Sequence, residues 1–494
     1  MRRSPERRGD VPVKPWRWIA AGLVAINVMG GIALAVTDGG TGGVALMAGS
    51  QAQVPMVPEE EAAVLHPIER IAFSDDWRKR TTRTVKAGGF AFAILRHDGN
   101  PCADVRSTAP DTRFYVMAPL EITAPSSRGS RTGTYYEALL PRNAATCLQS
   151  RYVFAEWQPD RTGTVSFKLG EATLTVDVSV EGILRPPRRP FYIALTNSYL
   201  LKGHCATYCP REAELAHKYS RLLAAHGIRP MQNWIGVPSI KNGRLDLDRR
   251  MKRRMSFRQT TMAYAGNDPI GFPRMDHYRD KIAYLRALET TIQEERLLGR
   301  AWVYAVDEPK LTDKLINKLK LYKLFAPSVR IMVTTPHDPL LDPLVDTFAP
   351  VINHLVKGGE RRPSAYAKKG LWSYASCMGS CGPNRKAALT AERRPGADTG
   401  LPDFLIDRPV LRLFAFFKTL DAMKADGALY YEAVEGYPLL RKGIDLMADT
   451  WNFGGNGDGL LLFPGRPGEF GLNKHQPIAS LRLKLIRHAI ERYW

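Results

Sequence analysis

From Phe191 to the C-terminus the chain repeats one rhythm: a short apolar run, a polar loop, then a stretch with helical spacing. Apolar runs buried on both faces and alternating with helices mark a parallel sheet, because parallel neighbours need a crossover connection. The strand-like runs are Phe191 to Leu195, Ile228 to Met231, Thr261 to Tyr264, Trp302 to Val306, Arg330 to Val333, Val351 to Asn353, Gly370 to Tyr374 and Gly427 to Tyr431. A helix predicted over Glu212 to His226 closes at Gly227, and the run from Ile478 to Tyr493 has helical spacing and would cover the last strand. Eight such units within residues 190–494 predict a (β/α)8, TIM-like barrel.

The preceding part has a different rhythm. Phe90 to Leu95, Arg113 to Met117, Gly163 to Phe167 and Ala172 to Val178 read as short strands separated by Gly, Pro, Asn and Asp, without an intervening helix. This predicts a β-sandwich over 71–185, in which a Cys102–Cys147 bridge would fit. The run Leu184 to Pro190 is a stiff Pro/Arg linker, and 38–70 is a second linker rich in Gly, Ala, Pro and Glu.

Within residues 1–37, Arg2, Arg3, Arg7, Arg8, Lys14 and Arg17 precede an apolar stretch from Trp18 to Val36. That arrangement fits an uncleaved inner-membrane anchor over 18–36, or a long signal peptide cleaved near Ala48 to Ala52. Either way the bulk of the chain is expected to be exported, periplasmic or extracytoplasmic. The six cysteines agree with an oxidising compartment. Cys205/Cys209 and Cys377/Cys381 suggest disulfides within or between the pairs; a zinc site with His204 ranks lower because the spacing is looser than tetrahedral motifs use. Neither a metal nor a cofactor is expected.

The net charge of +21 attracts nucleic acid, anionic membrane and acidic polysaccharide alike. The run Arg249 to Arg254 reads as a solvated basic helix face, and no zinc-finger or RNA-binding signature accompanies it, so nucleic acid is not an expected partner.

The run AWVYAVDEP, Ala301 to Pro309, ends in adjacent carboxylates where the strand stops. At the C-terminal edge of a parallel sheet this is where active sites are built. Side-by-side carboxylates suit a site needing one acid and one anion at the same pH. The plain structural alternative is that Asp307 caps the next helix with Glu308 in its first turn.

Several segments in order are similar to glycoside hydrolase family 123 and its relatives: Trp302 to Pro309, Leu371 to Cys377, Asp426 to Tyr431, Asp449 to Asn452, Gly457 to Gly465 and Ile478 to Leu483. The resemblance spans about Pro190 to Trp494, and a sandwich before a barrel is also that family's layout. It implies a retaining, substrate-assisted cleavage of β-linked N-acetylgalactosamine-type glycans, in which the sugar's 2-acetamido oxygen is the nucleophile. Glu308 would then be the general acid and base, kept protonated by burial, and Asp307 would orient the acetamido nitrogen. Tyr374 would donate to the acetamido oxygen. Trp234, Tyr431 and Trp451 would supply aromatic faces, and Asn233 and His337, just past strand ends, would bind hydroxyls. Trp372 is read as facing away from Tyr374, and Arg482 as a structural salt-bridge residue of the closing helix. The Asn452 to Gly459 loop lacks the terminal glutamate of a calcium loop and reads as a turn over the mouth.

Two features depart from that family: the basic segment after Gly243 and the loop from Gly379 to Pro402, which carries Arg385, Lys386, Arg393 and Arg394. They suggest an anionic polysaccharide or glycoconjugate as substrate. Two competing functions stay open, a non-catalytic envelope scaffold that binds polysaccharide and a lyase acting on acidic polymer.

Overall fold

The computed structural model describes residues 81–494 except 97–104, 128–129, 131, 148, 151, 170–171, 185–188, 206–211, 232–236, 248–269, 357–361, 378–399 and 453. Its N-terminal layers are two sheets. A four-stranded sheet runs in the order Thr81–Ala87, Ala172–Ile183, Gly163–Leu169, Val105–Ser107, with only the first pair parallel. A six-stranded antiparallel sheet runs Ala91–Arg96, Tyr152–Trp157, Arg113–Ile122, Gly133–Pro141, Gln476–Ser480, Leu462–Gly465. Alternation along the strands sorts the two faces. Ala91, Ala93 and Leu95 pack with Trp157, Phe167 and Val176 between the sheets, while Phe90, Phe92 and Ile94 join the main core on the other side.

The last two strands of the six-stranded sheet come from the far C-terminal region, so residues 476–480 are strand and not helix. The helix begins only at Leu481, with Ser480 accepting from the Leu483 N–H at 3.0 Å as its N-cap. Leu481–Tyr493 is buried on nearly all sides, charged residues included. Arg482 meets Glu137 at 2.6 Å and Lys484 meets Glu156 at 2.7 Å, so its charges are paired across to the six-stranded sheet. Arg482 also donates to the carbonyls of Phe404, Gly457 and Leu460, which is the structural role expected for it.

The (β/α)8 barrel does not form. Eight parallel strands make an open, half-barrel sheet in the order Arg229–Met231, Phe191–Ala194, Gly427–Tyr430, Gly370–Ala375, Thr347–Phe348, Arg330–Val333, Ala301–Val306, Ile270–Phe272. Among the described residues the two outer strands do not pair, and each is only three residues long. The helical ring is also incomplete. The crossover from Arg330–Val333 to Thr347–Phe348 carries only the 3-10 turn Pro339–Leu341, since its prolines and aspartates break a helix. The expected sixth strand, Val351 to Asn353, is instead the entry to the helix Ile352–Val356, and Thr347–Phe348 takes its place in the sheet. The expected third strand, Thr261 to Tyr264, lies outside the described residues, where Ile270–Phe272 is the strand that pairs. The helix Glu212–Ala225 is as read, and Gly227, at φ 72°, takes the left-handed turn that follows it.

The expected transmembrane signal-anchor finds no counterpart: no helix among the described residues is long and apolar enough to cross a membrane, and residues 18–36 lie outside them. Cys147, Cys205 and Cys377 are each disulfide-bonded, and no free cysteine occurs among the described residues. Cys102, Cys209 and Cys381 lie outside them, so a Cys102–Cys147 bridge, or one within either close pair, falls outside the described residues.

Candidate active site

Residues at alternate positions of a strand share a face. On the face away from the main core the parallel sheet carries Tyr192, Trp302, Met332, Trp372, Tyr374 and Leu429, with Tyr304 packed against them. Trp372 therefore lies on the same face as Tyr374, two residues on, and not on the opposite one. Tyr192 stacks on Trp372 at 5.5 Å and meets Trp302 edge-on at 5.2 Å, forming an aromatic floor. Gly427 makes room for it, because a Cβ there would overlap the Trp372 indole. Tyr304 and Tyr374 stand one layer above this floor, toward the C-terminal strand ends.

Asp307 and Glu308 follow directly on the strand Ala301–Val306, whose pairing slips between Tyr304 and Val306. Tyr304 donates its hydroxyl to Asp307 Oδ1, and Thr334 donates to the same oxygen at 3.1 Å. Tyr374 donates to Glu308 Oε1 at 2.6 Å. Each carboxylate thus has its own tyrosine. Burial drives the phenol of Tyr304 well above its ordinary value, and that of Tyr374 likewise, with the adjacent carboxylates pushing the same way. Both hydroxyls therefore remain donors.

Glu308 has φ 37°, a left-handed conformation that costs a residue with a Cβ on the order of 1–3 kcal/mol. Its N–H, donating to Thr334 Oγ1 at 2.7 Å, holds the bend. Neither acid caps the next helix: Thr312 does, accepting from Leu315 N–H at 3.2 Å, and the helix starts at Asp313. The plain structural reading of the pair is thereby replaced. The burial expected of Glu308 is absent: Asp307 and Glu308 are both exposed.

Tyr374 joins the two acids as expected, although its hydroxyl is committed to Glu308 and not left for a ligand. His337 serves the fold: its ring packs on Phe348 and Tyr366, and Nε2 meets Asp342 at 2.8 Å. Tyr431 has a buried hydroxyl beside Asp458, held in the Gly457–Gly459 turn. Trp451 is half-buried in a two-residue strand, its N–H on Asp449 at 3.0 Å, and no hydrogen bond or ring contact among the described residues joins it to the acids. Asn233 and Trp234 lie outside the described residues, as do the basic runs 249–254 and 385–394. The Asn452 to Gly459 segment, expected to be a turn, instead begins in a small hairpin in which Trp451–Asn452 pairs with Gly455–Asn456, and it turns at 457–459; Asn456 Nδ2 reaches Asp407 at 3.0 Å and the Ala124 carbonyl at 2.8 Å. No group of three metal-ligating side chains occurs among the described residues.

Neither Tyr304 nor Thr334 has a role in the sequence reading. Tyr304 carries a weak signal, since it is two residues after Trp302 and so shares its face; Thr334, just past the strand Arg330–Val333, reaches Asp307 only through the sheet order. A second acidic group, also unforeseen, lies at the end of the strand Gly427–Tyr430. Buried Glu432 accepts the N–H groups of Thr196 at 3.0 Å and Ala433 at 2.8 Å, tying two strand ends together. Burial pushes Glu432 up to about 8 and Glu435 and Asp458 up to about 7.

The sequence matches no protein-family model and no curated protein.

Proposed function

We propose that this chain is a glycoside hydrolase that cleaves β-linked N-acetylhexosamine glycans with the help of the substrate's own acetamido group. The observation that carries the reading is the Asp307–Glu308 pair at a parallel-strand end, each carboxylate held by a separate tyrosine hydroxyl. Substrate assistance needs no enzymic nucleophile, so one acid with a neighbouring carboxylate suffices for it.

In this reading the acetamido oxygen attacks the anomeric carbon while the glycosidic bond breaks, and Glu308 gives its proton to the leaving oxygen. Asp307 accepts the acetamido N–H and balances the positive charge of the cyclic intermediate. Glu308, now a carboxylate, takes a proton from water as that water attacks the anomeric carbon and restores the acetamido group. Tyr374 and Tyr304 fix the two carboxylates, which is the positioning such a mechanism depends on. Exposure of both acids also suits a site that binds glycan without turnover. A 1,2-fused thiazoline of N-acetylgalactosamine, which resembles the cyclic intermediate, separates the two. Competitive inhibition of glycan cleavage supports the mechanism, and cleavage unaffected by the thiazoline contradicts it.

A further inference from the structure

Arg274 follows the outermost parallel strand, Ile270–Phe272, which pairs with Ala301–Val306. The turn that carries it is clamped from both sides by buried phenols. Tyr284 donates to the Pro273 carbonyl, and Met275 donates its N–H to the Tyr322 hydroxyl at 2.8 Å. The guanidinium is half-buried, with its carbon 5.6 Å from the centre of the Tyr304 ring, the same tyrosine that holds Asp307. Among the described residues it has no hydrogen-bond or ion-pair partner. The nearest acid along the chain, Asp276, is taken by Lys318.

A guanidinium offers five N–H donors in a planar fork that fits a carboxylate or sulfate bidentately. Held half-buried against an aromatic face, with no acceptor among the described residues, that fork is left to water or a ligand, and an anion binds it more strongly than water does. We propose that Arg274 is an oxyanion anchor, binding a carboxylate or sulfate ester on the glycan next to the sugar held at Asp307 and Glu308, so that the substrate is an acidic polysaccharide. This rests on the reading of the acid pair as a sugar site. It adds to it the class of glycan and the residue that selects it.

The test is calorimetric binding of three tetrasaccharides of alternating uronic acid and N-acetylgalactosamine: unsulfated, sulfated, and carboxyl-reduced and unsulfated. The proteins are Glu308→Gln, which keeps the ligand intact, and the same variant carrying Arg274→Gln or Arg274→Lys. The expected result is that Arg274→Gln weakens an acidic tetrasaccharide by about tenfold or more, the loss of one charge-assisted contact. The neutral one should be unchanged, and Arg274→Lys should fall between. Loss with the unsulfated acid identifies a carboxylate, and loss confined to the sulfated one identifies a sulfate. Equal binding of acidic and neutral tetrasaccharides, equal loss of both in Arg274→Gln, or no binding of any of them overturns the proposal. Arg274-dependent binding without cleavage by the wild type would sink the hydrolase reading alone, and cleavage indifferent to Arg274 would sink the anchor alone.

Discussion

Replacing Tyr374 with Phe removes one hydroxyl and leaves a ring that is 6% exposed and packed on the aromatic floor. The bond lost is the 2.6 Å donation to Glu308 Oε1. As the general acid Glu308 carries a proton and is neutral, and a hydrogen bond between neutral groups contributes about 0.5–1.5 kcal/mol. If all of that holds the carboxyl in its working orientation, kcat/KM falls by roughly 2- to 12-fold. The ring is retained, so no cavity opens, and the melting temperature should move only by what one hydrogen bond contributes. The assay is the initial rate of release from a chromogenic N-acetylhexosaminide, with thermal melting of both proteins. An active wild type with Tyr374→Phe unchanged would refute the idea that this hydroxyl positions the acid. A loss beyond about a thousandfold would mean it touches the reacting atoms.

Two further outcomes concern the fold. Arg482→Met leaves Glu137, 3% exposed, without its partner, and should destabilise by about 3–5 kcal/mol in urea unfolding, with only part of it recovered by adding Glu137→Leu, since the carbonyls of Phe404, Gly457 and Leu460 stay without their donor; a change within error would show that the pair does not hold the helix to the sheet. His204, whose Nε2 meets the Tyr219 hydroxyl at 2.6 Å, is pushed by burial from 6.5 down to about 3. The native state therefore holds it neutral, and its contribution is fully present above pH 6.5 and lost toward pH 3, at up to about 1.4 kcal/mol per unit. Relative to His204→Gln, the wild type should lose stability as pH falls from 7 to 5, and parallel pH profiles would contradict this. Comparing the pair matters because raised Glu432, Glu435 and Asp458 act in the opposite sense, their contribution fading as pH rises through their native values.

The acids were readable because their signal is local: an apolar strand ending in Asp-Glu-Pro places both side chains at a sheet edge whatever lies around it. Tyr374 was readable for the same reason, at the end of its own strand. What surrounds them depends on which strands are neighbours. Thr334 reaches Asp307 only because Arg330–Val333 pairs with Ala301–Val306, and Arg274 reaches Tyr304 only because Ile270–Phe272 pairs on the other side. Trp372 shares a face with Tyr374, against the expectation, because residues two apart on a strand point the same way. The expected barrel fails because an apolar run need not bring a helix with it. Runs as short as Thr347–Phe348, with a 3-10 turn for a crossover, supply strands without the helices that a full ring needs. The strand Gln476–Ser480 leaves no separate signal because it passes straight into a helix at the Ser480 cap, with no break between the two periods.

The most direct measurement is hydrolysis of chromogenic β-linked N-acetylgalactosaminide and N-acetylglucosaminide by the wild type beside Glu308→Gln. Replacing the exposed Glu308 carboxyl by an amide keeps the backbone at φ 37° possible and the Tyr374 hydroxyl in reach, so the variant should fold. Release by the wild type, with Glu308→Gln reduced by at least about a hundredfold as expected for loss of a general acid, is the predicted result. Equal rates from the two proteins would contradict the assignment of Glu308 and, with it, the chemistry built on the pair.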